Sequence, residues 1–220
     1  MSDSASILIT VIVFLCILTV WRFTYIRRAP GEICMCDDDM QCMTASDGSK
    51  YCVRKLSNDK TERTKGEMQR IAESLSRVTS TCSKVVAYMT SRHSKDPRVI
   101  RMVSKFDKHA ICEIRLESSH VAFNESKGRK VAFCMSKAKE EDDLVDDHTL
   151  EFVALHELAH TMTISTDHTD EYWDNFKFIL DNAEQAGLHI PIDYGQRPQE
   201  YCGAPIQDNP FYSRRTRART

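Results

Sequence analysis

The chain has no excess of either charge. Its 220 residues carry 30 Lys and Arg against 32 Asp and Glu, a net charge of −2 at pH 7. A protein that grips nucleic acid by its phosphates needs a basic face, so the composition makes no broad electrostatic case for that partner. The local exception is the C-terminal tail, with Arg214, Arg215, Arg217 and Arg219 inside six residues. Such a tail can touch phosphates or anionic lipid, or simply end the chain as a solvated segment. No internal repeat is visible, which excludes an array of stacked units. No Lys or Arg precedes the first long apolar run, and no small-x-small site follows it. A cleaved signal peptide wants both, so an uncleaved anchor is the better reading. Nor is there a C-x-x-C pair or the cysteine spacing of a standard zinc knuckle.

What is present suits one membrane segment and one domain of ordinary size. Apolar residues make up 41% of the chain and charged residues 28%, as in a globular protein. After a short tail (1–4), residues 5–26 read as a transmembrane anchor. Ala5 to Trp21 is almost wholly apolar, and Phe23, Tyr25 and Ile26 continue it to about 20 residues, near the minimum for the hydrocarbon core. Trp21 and Tyr25 suit the interface, and Arg22 can snorkel. Arg22, Arg27 and Arg28 lie on the C-terminal side. The positive-inside rule therefore predicts a single-pass protein whose C-terminal domain faces the cytoplasm, or the interior of an enveloped particle. The bilayer is then one expected partner, through residues 5–26.

Nine cysteines are unevenly placed. Cys34, Cys36, Cys42 and Cys52 fall within nineteen residues, in a segment (27–60) read as a stalk or linker. Two disulfides, a second structural metal site and free thiols are all open for them. Cys16, Cys82, Cys112, Cys134 and Cys202 are scattered, mostly among apolar neighbours, and read as small core residues.

The domain is expected over 61–212, with a basic tail at 213–220. Met68, Ile71, Leu75, Val78, Cys82, Val85, Val86 and Met89 recur in steps of three and four, which predicts an amphipathic helix. Asp96-Pro97 is a helix-start signal for a short second one. Residues 121–123 and 131–135 read as two strands joined by a turn at 126–129. An edge strand beside an active-site helix can hold an extended substrate by β-addition; a hairpin that only covers the core is the alternative. An acidic stretch (139–147) leads, through Asp146 or Asp147 as cap, into a helix over 149–164. Thr169 can cap one more helix, with Trp173, Phe176, Ile179, Leu180 and Ala183 as its apolar stripe and Gly187 at its end. Beyond Pro191 the chain reads as loop.

The residues that carry chemistry lie in the helix over 149–164. His156-Glu157-Leu158-Ala159-His160 is an H-E-x-x-H run, and positions i and i+4 share a helix face, so His156 and His160 can aim two imidazoles at one point. His168 is the natural third ligand. Glu157 can reach a water on one bound Zn²⁺ ion as general base. Two solvated histidines on a surface helix would give the same pattern. Against that reading stand the apolar flanks Phe152, Val153, Leu155, Leu158, Ala159 and Met162, the third histidine, and the amphipathic helix that follows. The expected reaction is amide hydrolysis of a protein or peptide, with the proton passing from water to Glu157 and on to the leaving amine. Tyr194 or Tyr201 can steady the oxyanion or sit in the core. Asp167, Asp170 or Glu171 can orient an imidazole or cap a helix.

This site, with Thr169-Asp170-Glu171-Tyr172-Trp173 behind it, resembles the WLM and SprT-like zinc metallopeptidases, and more closely a membrane-anchored member of that group encoded by large DNA viruses. Asp47–Arg54, Leu144–Leu155, Tyr172–Phe178 and Tyr201–Pro210 carry the match, which covers about residues 47–212. The resemblance implies an α+β, zincin-like HExxH fold, with helices packed on a small sheet or hairpin, behind the anchor. It implies a peptidase and, in cellular relatives, clearance of proteins crosslinked to DNA. Seven residues separate His160 from His168, more than the usual WLM turn, and the family's basic extensions are absent apart from the arginine tail. Two other functions stand beside membrane-anchored peptidase. One is a DNA–protein crosslink protease. The other is a non-catalytic, zinc-stabilised membrane or virion protein, in which His189 or Cys202 would supply a fourth ligand.

Overall fold

Thr64 starts the longest helix for a reason visible in four residues. Its hydroxyl accepts from the Glu67 amide at 3.2 Å, and the Glu67 carboxylate accepts from the Thr64 amide at 2.7 Å. This reciprocal pair satisfies two donors that a helix start leaves open. Helix α1 then runs Lys65–Arg92 and buries Ile71, Leu75, Val78, Cys82, Val85 and Met89, the stripe read from the sequence.

The computed structural model describes residues 36–212, except 37, 58, 117, 119–120, 126 and 139–142. The predicted anchor at 5–26, the tail at 1–4, Cys16, Cys34, residues 139–142 of the acidic stretch and the basic tail at 213–220 lie outside the described residues. Among the described residues, no helix is long and apolar enough to cross a membrane.

Three more α-helices are described, each started by a predicted cap. Helix α2 (Pro97–Lys105) follows Asp96, whose carboxylate accepts from the Arg98 amide at 2.8 Å. Helix α3 (Asp147–Met162) follows Asp146, which accepts from the Thr149 amide at 3.0 Å. Helix α4 (Asp170–Gln185) follows Thr169, and Gly187 ends its turn in the left-handed region at φ 65°.

The strands form three small sheets, so the domain is mixed α+β. Antiparallel β1 (Met40–Thr44) and β2 (Lys50–Arg54) turn at Asp47-Gly48. A three-stranded sheet has the order β3-β5-β4: β5 (Lys130–Phe133) is parallel to β3 (Ile111–Glu113) and antiparallel to β4 (Ala122–Glu125). Strand β4 is one of its two edges. A last hairpin pairs β6 (Gln199–Tyr201) with β7 (Ala204–Ile206), where the sequence reads as loop. Three-residue strands are too short to show alternation.

Residues 40–54, read as part of a stalk, send Met43, Tyr51 and Val53 into the same core as Leu75, Phe133 and Leu150. A buried ion triad fastens this hairpin. Glu113, with a fully buried side chain, accepts from the Arg54 amide (2.7 Å), the Arg54 Nε (2.9 Å) and the Arg63 Nη1 (2.8 Å). Breaking a buried ion pair leaves desolvated charge behind and costs roughly 3 kcal/mol or more. Glu113→Gln should therefore lower the unfolding free energy measured by urea titration by that amount. A loss below about 1 kcal/mol, the scale of an exposed pair, would show that the triad is not buried in solution.

Two disulfides are found among the described residues. Cys36–Cys52 joins the start of the described chain to β2, with Cα atoms 5.2 Å apart, while Cys42 is free and exposed. Cys82 and Cys112 are buried and lie outside these bonds, as expected of core cysteines. Cys134 and Cys202 do not: they are joined, with Cα atoms 6.0 Å apart. Their partners are 68 positions apart, a pairing that local composition cannot reveal.

Candidate metal centre and cleft

Helix α3 is apolar on nearly every side. Leu150, Phe152, Val153, Leu155, Leu158 and Met162 are all buried, which holds the helix between the sheet and the other helices. Its remaining face carries His156 and His160, whose ring centroids are 5.3 Å apart. The chain then turns back and brings His168 to them. His168 Nε2 stands 3.0 Å from His156 Nε2, and one ring nitrogen from each of the three histidines lies within 4.8 Å of the others. All three predicted ligands are thus brought together.

Tyr172 forms the floor of this cluster. Its fully buried ring lies 4.5 Å from those of His160 and His168 and 5.1 Å from that of His156. Its hydroxyl donates to the His156 carbonyl at 3.2 Å. Trp173 backs His168 at 5.7 Å. Aromatic packing of this kind restricts each imidazole to few rotamers.

The electrostatics suit a metal. Burial, and then the neighbouring imidazoles, push His156 down to about 3. Burial likewise pushes His160 down to about 4 and lowers His168. Neutral imidazole is the form that donates a lone pair to a metal. Glu157 is 5% exposed, and burial pushes its carboxyl up to about 8. A cation among the three histidines would favour the carboxylate. Three nitrogen donors of this kind fit a transition-metal ion and leave coordination positions open. Cys202 is tied up in its disulfide, and His189 is buried beside Glu151, with Nδ1 3.6 Å from Oε2. Neither joins the histidine cluster, the only such group among the described residues.

Next to the histidines opens a cleft of about 690 Å³. His156, Glu157 and His160 line it, and Phe152, Val153, Phe176 and Ile206 make much of the rest apolar. Tyr201 lines it too; its hydroxyl donates to the Val121 carbonyl at 3.3 Å. Tyr194 instead lies in the helical core, its ring 4.8 Å from that of Phe152. Strand β4 borders the cleft through Ala122 and Asn124. The Cys134 amide donates to the Val121 carbonyl at 3.0 Å. In an antiparallel ladder this directs the main-chain groups of 121, 123 and 125 toward β5, and those of Ala122 and Asn124 outward along the open edge.

Two residues here, Asn124 and Lys127, had no evident signal in the sequence. Asn124 donates from Nδ2 to the Glu157 carbonyl at 2.7 Å and accepts from the Gly128 amide. Lys127 and Glu171 hold the turn before His168 from opposite sides. Glu171 was a candidate to orient an imidazole; its carboxylate accepts from the amides of Ile164 (2.9 Å) and Ser165 (3.1 Å). Its place in the first turn of α4 hinted at a capping role, but not at which amides.

No protein-family model matches the chain, and no solved structure matches it. It is similar to an uncharacterized protein of Acanthamoeba polyphaga mimivirus, 27% identical over 113 residues, which are 51% of this chain and 57% of that one. It is also similar to an uncharacterized protein of Invertebrate iridescent virus 6, 31% identical over 84 residues, which are 38% of this chain and 47% of that one. The matches span about half the length of these curated relatives.

Proposed function

We propose that this protein is a zinc-dependent metallopeptidase with a zincin-like domain, anchored to a membrane through residues 5–26. One observation carries the reading. Three neutral imidazoles converge beside a buried glutamate at the wall of an open cleft, with no fourth protein ligand among the described residues. A structural zinc site is normally closed by four protein ligands and has no use for Glu157.

His156, His160 and His168 would hold the ion. Zinc in such a site supplies a Lewis acid and a water activated near neutral pH. Glu157 takes the proton and delivers it to the leaving amine. The open edge of β4 receives an extended peptide by strand addition, and the apolar lining at Phe152, Val153 and Phe176 accepts a large apolar side chain. Tyr201 holds the start of β4 against the β6–β7 hairpin. The two disulfides among the described residues weigh against a reducing cytosol as the domain's side of the membrane.

Metal analysis of the full chain in detergent, paired with casein hydrolysis, tests this reading. The expected result is one zinc per chain, activity lost on chelation, and activity regained on adding Zn²⁺. A chain that binds no metal, or that hydrolyses casein equally well after chelation, refutes it.

A further inference from the structure

The turn that delivers His168, residues 163–169, has no regular structure of its own. The carbonyls of residues 163–165 and the amides of Ile164 and Ser165 are nevertheless held by side chains from elsewhere. Arg101 of α2 donates to the Met162 carbonyl, the last of α3. The Lys127 Nζ donates to three successive carbonyls: Thr163 at 2.7 Å, Ile164, and Ser165 at 2.7 Å. Glu171 takes the amides of Ile164 and Ser165 from the other side. Asn175 donates to the Thr163 hydroxyl at 3.0 Å. An ammonium has three donors and no acceptor, so Lys127 meets this triplet of carbonyls with all of them used.

The position of Lys127 is itself over-determined. It sits at φ 57° in the turn between β4 and β5, followed by Gly128 at φ 111°. A Cβ on Gly128 would come within 2.4 Å of the Lys105 carbonyl oxygen and 3.2 Å of the Thr161 side chain. The hairpin tip is therefore pressed against the ends of α2 and α3, where only glycine fits. Asn124, on the same hairpin, anchors the strand to the Glu157 carbonyl at 2.7 Å. The hairpin that borders the cleft thus also grips the turn carrying the third histidine.

We propose that Lys127 is a positioning residue for the metal centre: by clamping the carbonyls of residues 163–165 it sets where the turn delivers His168, without touching the metal. This rests on the metal reading given above. Its consequence is that any loss of metal affinity on removing Lys127 runs through His168, since the direct effect of its charge, felt at His160, is to repel a cation. Groups that orient ligands from outside the coordination sphere typically contribute roughly 10- to 100-fold in metal affinity.

A double-mutant cycle on the full chain tests it, with zinc affinity read by chelator competition and the visible spectrum of the Co²⁺-loaded protein as a second readout. Lys127→Met should weaken zinc binding roughly 10- to 100-fold and alter the Co²⁺ bands. His168→Ala should weaken it at least as much, and Lys127→Met should add nothing in the His168→Ala background. Lys127→Arg, which keeps the charge and several donors, should recover part of the loss. The same factor for Lys127→Met in both backgrounds would overturn the proposal, because it would show a general effect on the fold. So would unchanged affinity and spectrum in the single variant. If Lys127→Met does not fold, Glu171→Gln loosens the same turn from its amide side and should show the same non-additivity with His168→Ala; additive losses would overturn the proposal. A wild-type chain that binds neither metal is a different failure, and it overturns the metal reading itself.

Discussion

Glu157→Gln should keep its metal and lose peptide hydrolysis by roughly 10²- to 10⁴-fold, the usual contribution of a positioned acid–base group. Gln has the shape of Glu and is neutral, so it fits a site that is 5% exposed without adding buried charge. It cannot take up a proton at neutral pH. The three imidazoles are contributed by other residues, so metal content should not change. The measurement is zinc per chain together with kcat/KM on an unstructured protein substrate, wild type against variant. Equal activity in both would remove Glu157 from the reaction and return the site to a structural role. Loss of metal together with activity would place Glu157 among the ligands.

Replacing Cys134 and Cys202 together by Ser should cost about 4 kcal/mol of stability, because the bond closes a loop of 68 positions in the unfolded chain. The local consequence is more specific. Cys202 lies in the left-handed region at φ 53°, in the turn between β6 and β7. That hairpin brings Tyr201 and Ile206 to the cleft. Without the bond, the hydrogen bonds left to the sheet side include the Cys202 amide to the Ser136 carbonyl (3.0 Å), the Gly203 amide to the Lys137 carbonyl (2.9 Å), and the Tyr201 hydroxyl to the Val121 carbonyl (3.3 Å). KM should therefore rise, while zinc affinity stays put, because the metal ligands lie on α3 and the turn after it. Cys36–Cys52 serves as the control. It closes a loop of 16 positions, worth about 3 kcal/mol, and holds no residue of the cleft, so its removal should lower the thermal midpoint and leave KM alone. An unchanged KM in the Cys134/Cys202 variant would show that the wall is held by its hydrogen bonds.

The helices were legible because their signals are short-range. The stripe from Ile71 to Met89, Asp96 before Pro97, Asp146 and Thr169 as caps, and Gly187 as a stop each act within a turn or two of chain. The β4–β5 hairpin was legible for the same reason, to within two residues at its ends. Strands β1, β2, β3, β6 and β7 were not, since three to five residues carry little periodicity.

The same division runs through the site. The sequence by itself determined that His156 and His160 share one helix face with Glu157 beside them, because i and i+4 positions coincide on any α-helix. It named His168 but did not place it, since a seven-residue turn can end in many positions. Only the tertiary structure decided that His168 returns to within 3.0 Å of His156, that Tyr172 lies beneath all three rings, and that Lys127 and Glu171 clamp the turn between them. It also decided that Cys202 pairs with Cys134 rather than approaching the histidines. Each of these depends on where distant segments meet, and that is set by the packing of the whole core and not by any local run of residues.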